Sequence, residues 1–314
     1  MENFIKYLQE KGLTENTQKA YLRNANLFLS WYKSEPMNAE KKDVLKYLEH
    51  LKKKKKQQNI TRRNSLIALN HYFDYLIKKE EIIKNPCSLL KIRGTKKKQL
   101  YNVFTAEELT QLADDYYNIF IKNFDENHIP KNQRKNSYLT RNRNYLMFTF
   151  LVYQGLHTNE LQKIQLDDID TIKASVNITG SKKTNPRKLI LRPEQIGVLM
   201  NYLQNIRPQF LENYTTENNN LFLTLPEVSK KKTEQTRVMY ALKTLTKQAK
   251  SISLNFTSFK QIRASVITNW IKTVGLRKAQ YNAGHRYIST TEKYLPNDLE
   301  QLTDEIEKFN PFSF

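Results

Sequence analysis

The stretch Ala283-Gly284-His285-Arg286-Tyr287-Ile288-Ser289-Thr290-Thr291-Glu292-Lys293-Tyr294 sets a histidine nine residues before a tyrosine, among polar and basic neighbours. Upstream of it, Phe259-Lys260-Gln261-Ile262-Arg263 opens an apolar helix, and Lys260 and Arg263, three apart, share one helical face. Helical patterning is expected over Ser258–Val274, Arg277–Ala283 and Thr290–Leu295, and earlier over Glu194–Ile206 and Thr236–Ile252. Between residues 173 and 192 the runs KASVNIT and KLILR are of β type, joined by the basic turn GSKKTNP. Before them, Arg143–Tyr153 is nearly all apolar and predicts a buried helix, and residues 115–141 read as a helix end followed by an exposed excursion. Thr105 with Glu107 and Glu108 marks a helix start. The second part of the chain is therefore mostly helical with a small sheet.

The first part is helical throughout. Thr14 is a plausible N-cap for a helix carrying Tyr21, Ala25, Phe28 and Tyr32. Val44, Leu48 and Leu51 share one face of a third helix that runs into Lys52–Lys56, and Ile60, Leu66, Leu69, Phe73 and Leu76 mark a fourth. Asn85-Pro86 stops helical continuation. The expected organisation is a four-helix domain over 1–93, a basic linker over 94–98 centred on Gly94, and a second domain over 99–314. That domain ends in an amphipathic tail with Leu299, Leu302, Ile306 and Phe309 on one side.

Of 314 residues, 52 are Lys or Arg and 31 Asp or Glu, a net charge of +21. Residues 1–98 carry 23 of these basic residues against 10 acidic ones, so about a third of the length holds most of the excess. Such a balance points to nucleic acid. With 39% apolar and 11% aromatic residues the chain can build real cores, which excludes disorder of the whole. The single cysteine, Cys87, excludes a disulfide framework and fits a reducing cytoplasm. No apolar run is long enough to span a bilayer, and the first ten residues lack a signal-peptide layout. Neither a phosphate-binding glycine loop nor a zinc-protease motif occurs, and His50, His71, His128, His157 and His285 are scattered. No metal and no cofactor is expected, and any chemistry falls to basic residues and a side-chain nucleophile.

The stretch 283–294 resembles the C-terminal signature of the tyrosine recombinases of the phage-integrase and Xer type, in which a histidine precedes the nucleophilic tyrosine by nine residues. Residues 151–170 (LVYQGLHTNELQKIQLDDID) resemble the family's first box, and SKKTNPRKLIL its lysine-bearing hairpin. The N-terminal helices, the Asn-Pro stop and the basic linker resemble its core-binding domain. The resemblance implies a SAM-like four-helix core-binding domain followed by an α+β catalytic domain. Tyr294 is implied as the nucleophile, Arg263 as a phosphate ligand, His285 as a phosphate contact or an aid to Tyr294, and Lys183 as the acid for the departing 5′-oxygen, with Lys182 one residue away. His157 stands where the family has its first arginine, and Lys260 where it has the histidine of a His-x-x-Arg pair. Losing one charged phosphate donor costs roughly a hundredfold in rate, by analogy with oxyanion-hole deletions.

The implied activity is site-specific strand exchange through a 3′-phosphotyrosyl bond, for a mobile element, in the bacterial cytoplasm beside the nucleoid. The implied partner is double-stranded DNA with paired sites, engaged by four copies of a protein that is monomeric when free, with room for accessory factors. Lys53, Lys55, Arg62, Arg63, Lys96, Lys97 and Lys182 are candidate phosphate contacts, which give affinity without base information. The altered residues leave two rivals open: an impaired DNA-binding protein on the same fold, and a type IB topoisomerase.

Overall fold

The computed structural model describes residues 1–94, 101–181, 184–214, 217–225 and 234–297. The chain divides into two compact units, Met1–Gln99 and Leu100–Phe314. Residues 95–98 of the expected linker and the expected tail beyond Asn297 lie outside the described residues, as do Lys96, Lys97, Lys182 and Lys183.

In the first unit four amphipathic helices, α1 (Glu2–Glu10), α2 (Glu15–Tyr32), α3 (Lys41–Lys53) and α4 (Asn59–Lys78), enclose an aromatic core. Phe28 meets Tyr47 edge-on at 5.2 Å and Phe73 edge-on at 5.8 Å, and Phe4 meets Tyr72 likewise at 5.3 Å. Such edge-to-face pairs fix mutual orientation as well as burying area. Helix α3 starts with a reciprocal capping box between Glu40 and Asp43. The Asn85-Pro86 stop is fastened to α4: the Asn85 amide donates to Asp74 at 2.7 Å, and its oxygen accepts from the Cys87 N–H at 2.7 Å. Burial pushes the Cys87 thiol up to about 12, so it is an inert core residue.

The second unit packs α5 (Ala106–Tyr117), α6 (Lys131–Tyr153), α7 (Thr158–Leu161), α8 (Pro193–Asn201), α9 (Arg207–Leu211), α10 (Glu234–Ile252), α11 (Phe259–Ala283) and α12 (Ile288–Thr291) around one core. Thr105 caps α5 with Glu108 as its reciprocal partner. Three short antiparallel strands, β1 (Ile169–Asp170), β2 (Ser175–Ile178) and β3 (Arg187–Ile190), lie in that order in one sheet. The fold is thus mainly α with a small sheet.

Three local readings change. The excursion expected up to residue 141 is shorter, because α6 begins at Lys131. Its opening turns are polar in sequence, yet Arg141 is buried, stacked 3.5 Å over the Phe124 ring and paired with Glu126 at 2.8 Å, so burial there does not follow apolar periodicity. Helix α11 is one element interrupted at Gly275, whose φ of 77° breaks helical geometry between the two expected helices; glycine tolerates that conformation without a Cβ clash. The helix expected at Thr290 starts at Ile288 and tightens into a 3₁₀ turn over Glu292–Asn297 that carries Tyr294.

Candidate active site

Arg263 lies on the buried side of α11. Its Nη1 donates to the Gly155 carbonyl at 2.6 Å and its Nη2 to the Ala283 carbonyl at 2.7 Å. These bonds tie the end of the first box to the end of α11. Burial lowers its pKa while Glu160 opposes the shift, and a guanidinium with this start remains a cation. Tyr294 stands near enough to Arg263 to act on its charge, opposing the lowering of its pKa.

Helix α11 ends at Gly284, whose φ of 69° makes a left-handed cap and turns the chain into His285. His285 is 7% exposed, its Nδ1 sits 2.9 Å from the buried Thr291 hydroxyl, and its ring lies nearly parallel to that of Tyr294, with centroids 5.7 Å apart. Burial, followed by Arg263, Arg187 and Lys293, pushes its pKa down to about 4, against the pull of Glu160. The imidazole is therefore neutral at physiological pH. The β2–β3 turn closes against this segment: Thr184 bridges to His285, and the Asn185 N–H donates to the Gly284 carbonyl at 2.9 Å. The expected lysine turn thus meets the His–Tyr segment through its described residues.

His157 caps α7. Its Nδ1 accepts from the Asn159 N–H at 3.2 Å, and its own N–H donates to Glu160 at 2.9 Å. With Nδ1 accepting, the neutral ring keeps its proton on Nε2, so it offers a single donor. Although part of the residue faces solvent, crowding by protein atoms is the largest cause lowering its pKa, with Arg263 and Lys260 acting the same way and Glu160 opposing. Lys260 is exposed one turn before Arg263 and near enough to His157 to act on its charge. Of the five described residues of the expected set, Arg263, His285, Tyr294 and His157 form one cluster, with Lys260 at its rim.

Two residues with no role expected from the sequence lie at the centre. Glu160 takes Arg187 in a bidentate pair at 2.9 and 3.0 Å and stands 3.6 Å from Arg263 Nη1. Burial would raise its pKa, but the Arg187 bonds, the two guanidinium charges and the His157 N–H outweigh it and hold the carboxylate ionised. Arg187 is fully buried and also donates from Nε to the Asn282 carbonyl at 2.7 Å. The available signal was alternation along β3: Arg187 and Leu189 face inward, Lys188 and Ile190 outward, so an arginine occupies a core position of a strand.

The other candidates lie in the first unit. Lys53 and Lys55 are exposed, Lys53 pairing with Glu49 at 2.7 Å; Arg62 is half-buried and donates to Asn59 at 2.7 Å; Arg63 is exposed.

A helical bundle followed by an α+β unit in which an arginine, a histidine and a tyrosine converge defines a strand-exchange enzyme of the tyrosine type. Residues 1–82 match the phage integrase N-terminal SAM-like domain, and residues 120–301 match the phage integrase family. The chain belongs to that family: it is a tyrosine recombinase, an enzyme that breaks and rejoins DNA. It is 26% identical over 321 residues to the tyrosine recombinase XerD of Staphylococcus haemolyticus, covering 99% of this chain and 98% of that one. It is 24% identical over 312 residues to the TnP I resolvase of Bacillus thuringiensis, covering 98% of each. Among solved structures, the XerH recombinase bound to a palindromic difH substrate after cleavage shares its fold with a TM-score of 0.64 at 20% identity, over 92% of this chain and 79% of that one. The Tn1549 transposon integrase in complex with transposon right end DNA gives a TM-score of 0.59 at 15% identity, over 96% and 98%. No helix among the described residues is long and apolar enough to cross a membrane.

Proposed function

We propose that Tyr294 attacks a DNA phosphodiester, forming a 3′-phosphotyrosyl bond and releasing a 5′-hydroxyl. Reverse attack by a 5′-hydroxyl of the partner strand rejoins the DNA, so the bond energy is retained and no external energy source enters. The observation that carries this reading is the convergence on Tyr294 of Arg263, near enough to feel its charge, and His285, by ring stacking. The transition state gathers negative charge on the non-bridging phosphate oxygens, and donors fixed before the reaction stabilise it without reorganisation. Arg263 has two nitrogens anchored on backbone carbonyls, so its remaining N–H groups are held rigidly for the phosphate. His285 is neutral with Nδ1 engaged by Thr291, which leaves Nε2 for the phosphate or for the Tyr294 proton. Lys183, with Lys182 beside it, supplies the proton to the leaving oxygen from the hairpin that bridges to His285. His157 contributes one neutral donor through Nε2 and Lys260 a charge at the rim, so the site is short of one fixed cation and cleaves slowly.

The substrate is duplex DNA with paired recombination sites belonging to a mobile element. The exposed cations Lys53, Lys55 and Arg63, together with the basic linker residues Lys96 and Lys97, contact the DNA backbone. Four copies assemble on two sites from a free monomer, with accessory factors setting direction, in the cytoplasm beside the nucleoid. The experiment is covalent trapping of wild type and Tyr294→Phe on a library of nicked duplexes, with denaturing electrophoresis and sequencing of the bound fragments. A covalent band from the wild type alone, enriched in one sequence, is expected. No band across pH 6–8 over long incubation leaves the impaired DNA-binding protein, and bands without sequence preference favour topoisomerase activity.

A further inference from the structure

We propose that Arg187 is a positioning residue for strand cleavage: it fastens the first box, the β-hairpin and the end of α11 into one unit and, by sharing Glu160 with Arg263, leaves the site one positive charge in excess for the scissile phosphate to balance. The proposal rests on the catalytic reading above and extends it to a residue that does not touch the reacting atoms.

Three of the guanidinium nitrogens are committed. Nη1 and Nη2 grip the two oxygens of Glu160, and Nε grips the Asn282 carbonyl, three residues before His285. The backbone of β3 supplies the third attachment, since Thr184 and Asn185, just upstream, bridge to His285 and Gly284. The packing is close enough to constrain the sequence elsewhere: a Cβ on Gly284 would stand 2.5 Å from Arg187 Nη1, so only glycine fits beside it. A lysine at 187 could match the charge but not the fork, because it presents a single nitrogen.

The charge arrangement is unusual for a buried cluster. Arg187 and Arg263 face a single carboxylate, with each side chain at most one-tenth exposed. Two buried guanidinium charges over one carboxylate are under-neutralised, and an anion entering beside Arg263 completes the pairing. Among the described residues, the groups acting on His285 are Arg263, Arg187 and Lys293 as cations and Glu160 as an anion, with the Thr291 hydroxyl and the Tyr294 ring in contact. Removing the Arg187 charge therefore raises the His285 pKa as well as loosening its backbone.

The test compares wild type, Arg187→Met and Arg187→Lys in three measurements on the full chain: affinity for trapped-site DNA, single-turnover covalent complex formation across pH 5–8, and titration of the His285 ring by NMR, assigned with His285→Asn. For Arg187→Met we expect affinity within about threefold of wild type, cleavage slower by about a hundredfold as for other misplacements of a reacting group, and a His285 titration moved toward neutral pH. Arg187→Lys is expected to restore the titration but only about a tenth of the lost rate, since charge returns without the bidentate geometry. Wild-type cleavage by a folded Arg187→Met, or an unmoved His285 titration in it, overturns the proposal. If Arg187→Met does not fold, Arg187→Lys decides, and a wild-type rate in it overturns the positioning role. If the wild type itself forms no covalent complex, the catalytic reading fails, and the His285 titration alone decides whether Arg187 shapes the cluster.

Discussion

The first unit pairs its cations at the surface, whereas the second, besides exposed lysines such as Lys135, holds arginines in its interior. In the first, Lys19, Lys53 and Lys78 stand in water, each paired with a glutamate (Glu15, Glu49, Glu10) whose side chain is itself more than half exposed. In the second, Arg143, Arg187 and Arg263 are buried and spend their donors on backbone carbonyls, an amide or one carboxylate. An exposed lysine is a mobile charge that adds to affinity in proportion to its number and fades with salt. A buried arginine has one orientation, and its value depends on its place. The sequence count of +21 treats the two alike; the fold separates exposed surface lysines from a few buried, fixed donors.

The largest effect that tests this contrast is expected at the centre of the fixed set. Tyr294→Phe abolishes the covalent intermediate while leaving DNA affinity within about twofold, because a half-buried ring loses only its hydroxyl. Gel shifts and denaturing gels on the same samples measure the two quantities. A parallel loss of affinity would mean that binding and chemistry are not divided between the two kinds of cation.

Glu160→Gln comes next. It leaves Arg187 and Arg263 in a buried site without their carboxylate, and breaking one side of a buried pair costs about 3–5 kcal/mol. Denaturant unfolding of the full chain checks this. A loss below about 1 kcal/mol would show that the cluster is better hydrated than its burial indicates.

His157→Arg is expected to accelerate cleavage by about tenfold, a part of the hundredfold that a fixed charged donor supplies at an oxyanion. His157 is neutral in the free protein because protein atoms crowd it and Arg263 and Lys260 stand near, so the arginine restores a charge the imidazole does not carry. The same change removes the Nδ1 acceptor of the Asn159 N–H and costs about 1 kcal/mol of stability as a lost cap. Single-turnover rates and thermal melting report the two effects with opposite signs.

These residues also show what sequence could and could not deliver. That Arg263, His285 and Tyr294 come together is legible because the stretch carrying them resembles the family's motif and its His–Tyr spacing is local. The four helices of the first unit were legible because their apolar residues recur at helical period. Glu160 and Arg187 had no role assigned, because they meet across 27 residues of chain and no periodicity encodes a buried ion pair. The start of α6 at Lys131 is not legible, since over residues 131–140 the helix is polar and mostly exposed, with Leu139 buried, and no apolar period marks it. Strand β1 has two residues and leaves no alternation to read.

Acid sensitivity gives a smaller effect. The His285 pKa is about 4 when folded and 6.5 when free, so the unfolded chain binds more protons between those values. Stability from the neutral ring is complete above pH 6.5 and is lost as pH falls toward 4. We expect a loss of at most about 3 kcal/mol over that window, at about 1.4 kcal/mol for each pH unit between the two values. Melting curves of wild type and His285→Asn should converge on acidification; curves that stay parallel would assign the acid loss to other groups.

The smallest effect is expected in the first unit, where no single cation is irreplaceable. Lys53 is an exposed end-of-helix residue paired with Glu49, and Lys55 follows it in the same basic run. Replacing Lys53 by glutamine should leave cleavage of bound DNA unchanged and weaken binding only slightly, with the slope of log affinity against log salt falling by about 0.9 if the residue meets a phosphate. A second substitution at Lys55 should lower the slope again by about 0.9 if that residue meets its own phosphate, because each phosphate contact releases its own counterion. A change in the cleavage rate of saturated complexes would break the division between the units, since it would mean that a mobile surface lysine positions the DNA for Tyr294. An unchanged slope would instead place Lys53 away from the backbone and leave its contribution with Glu49.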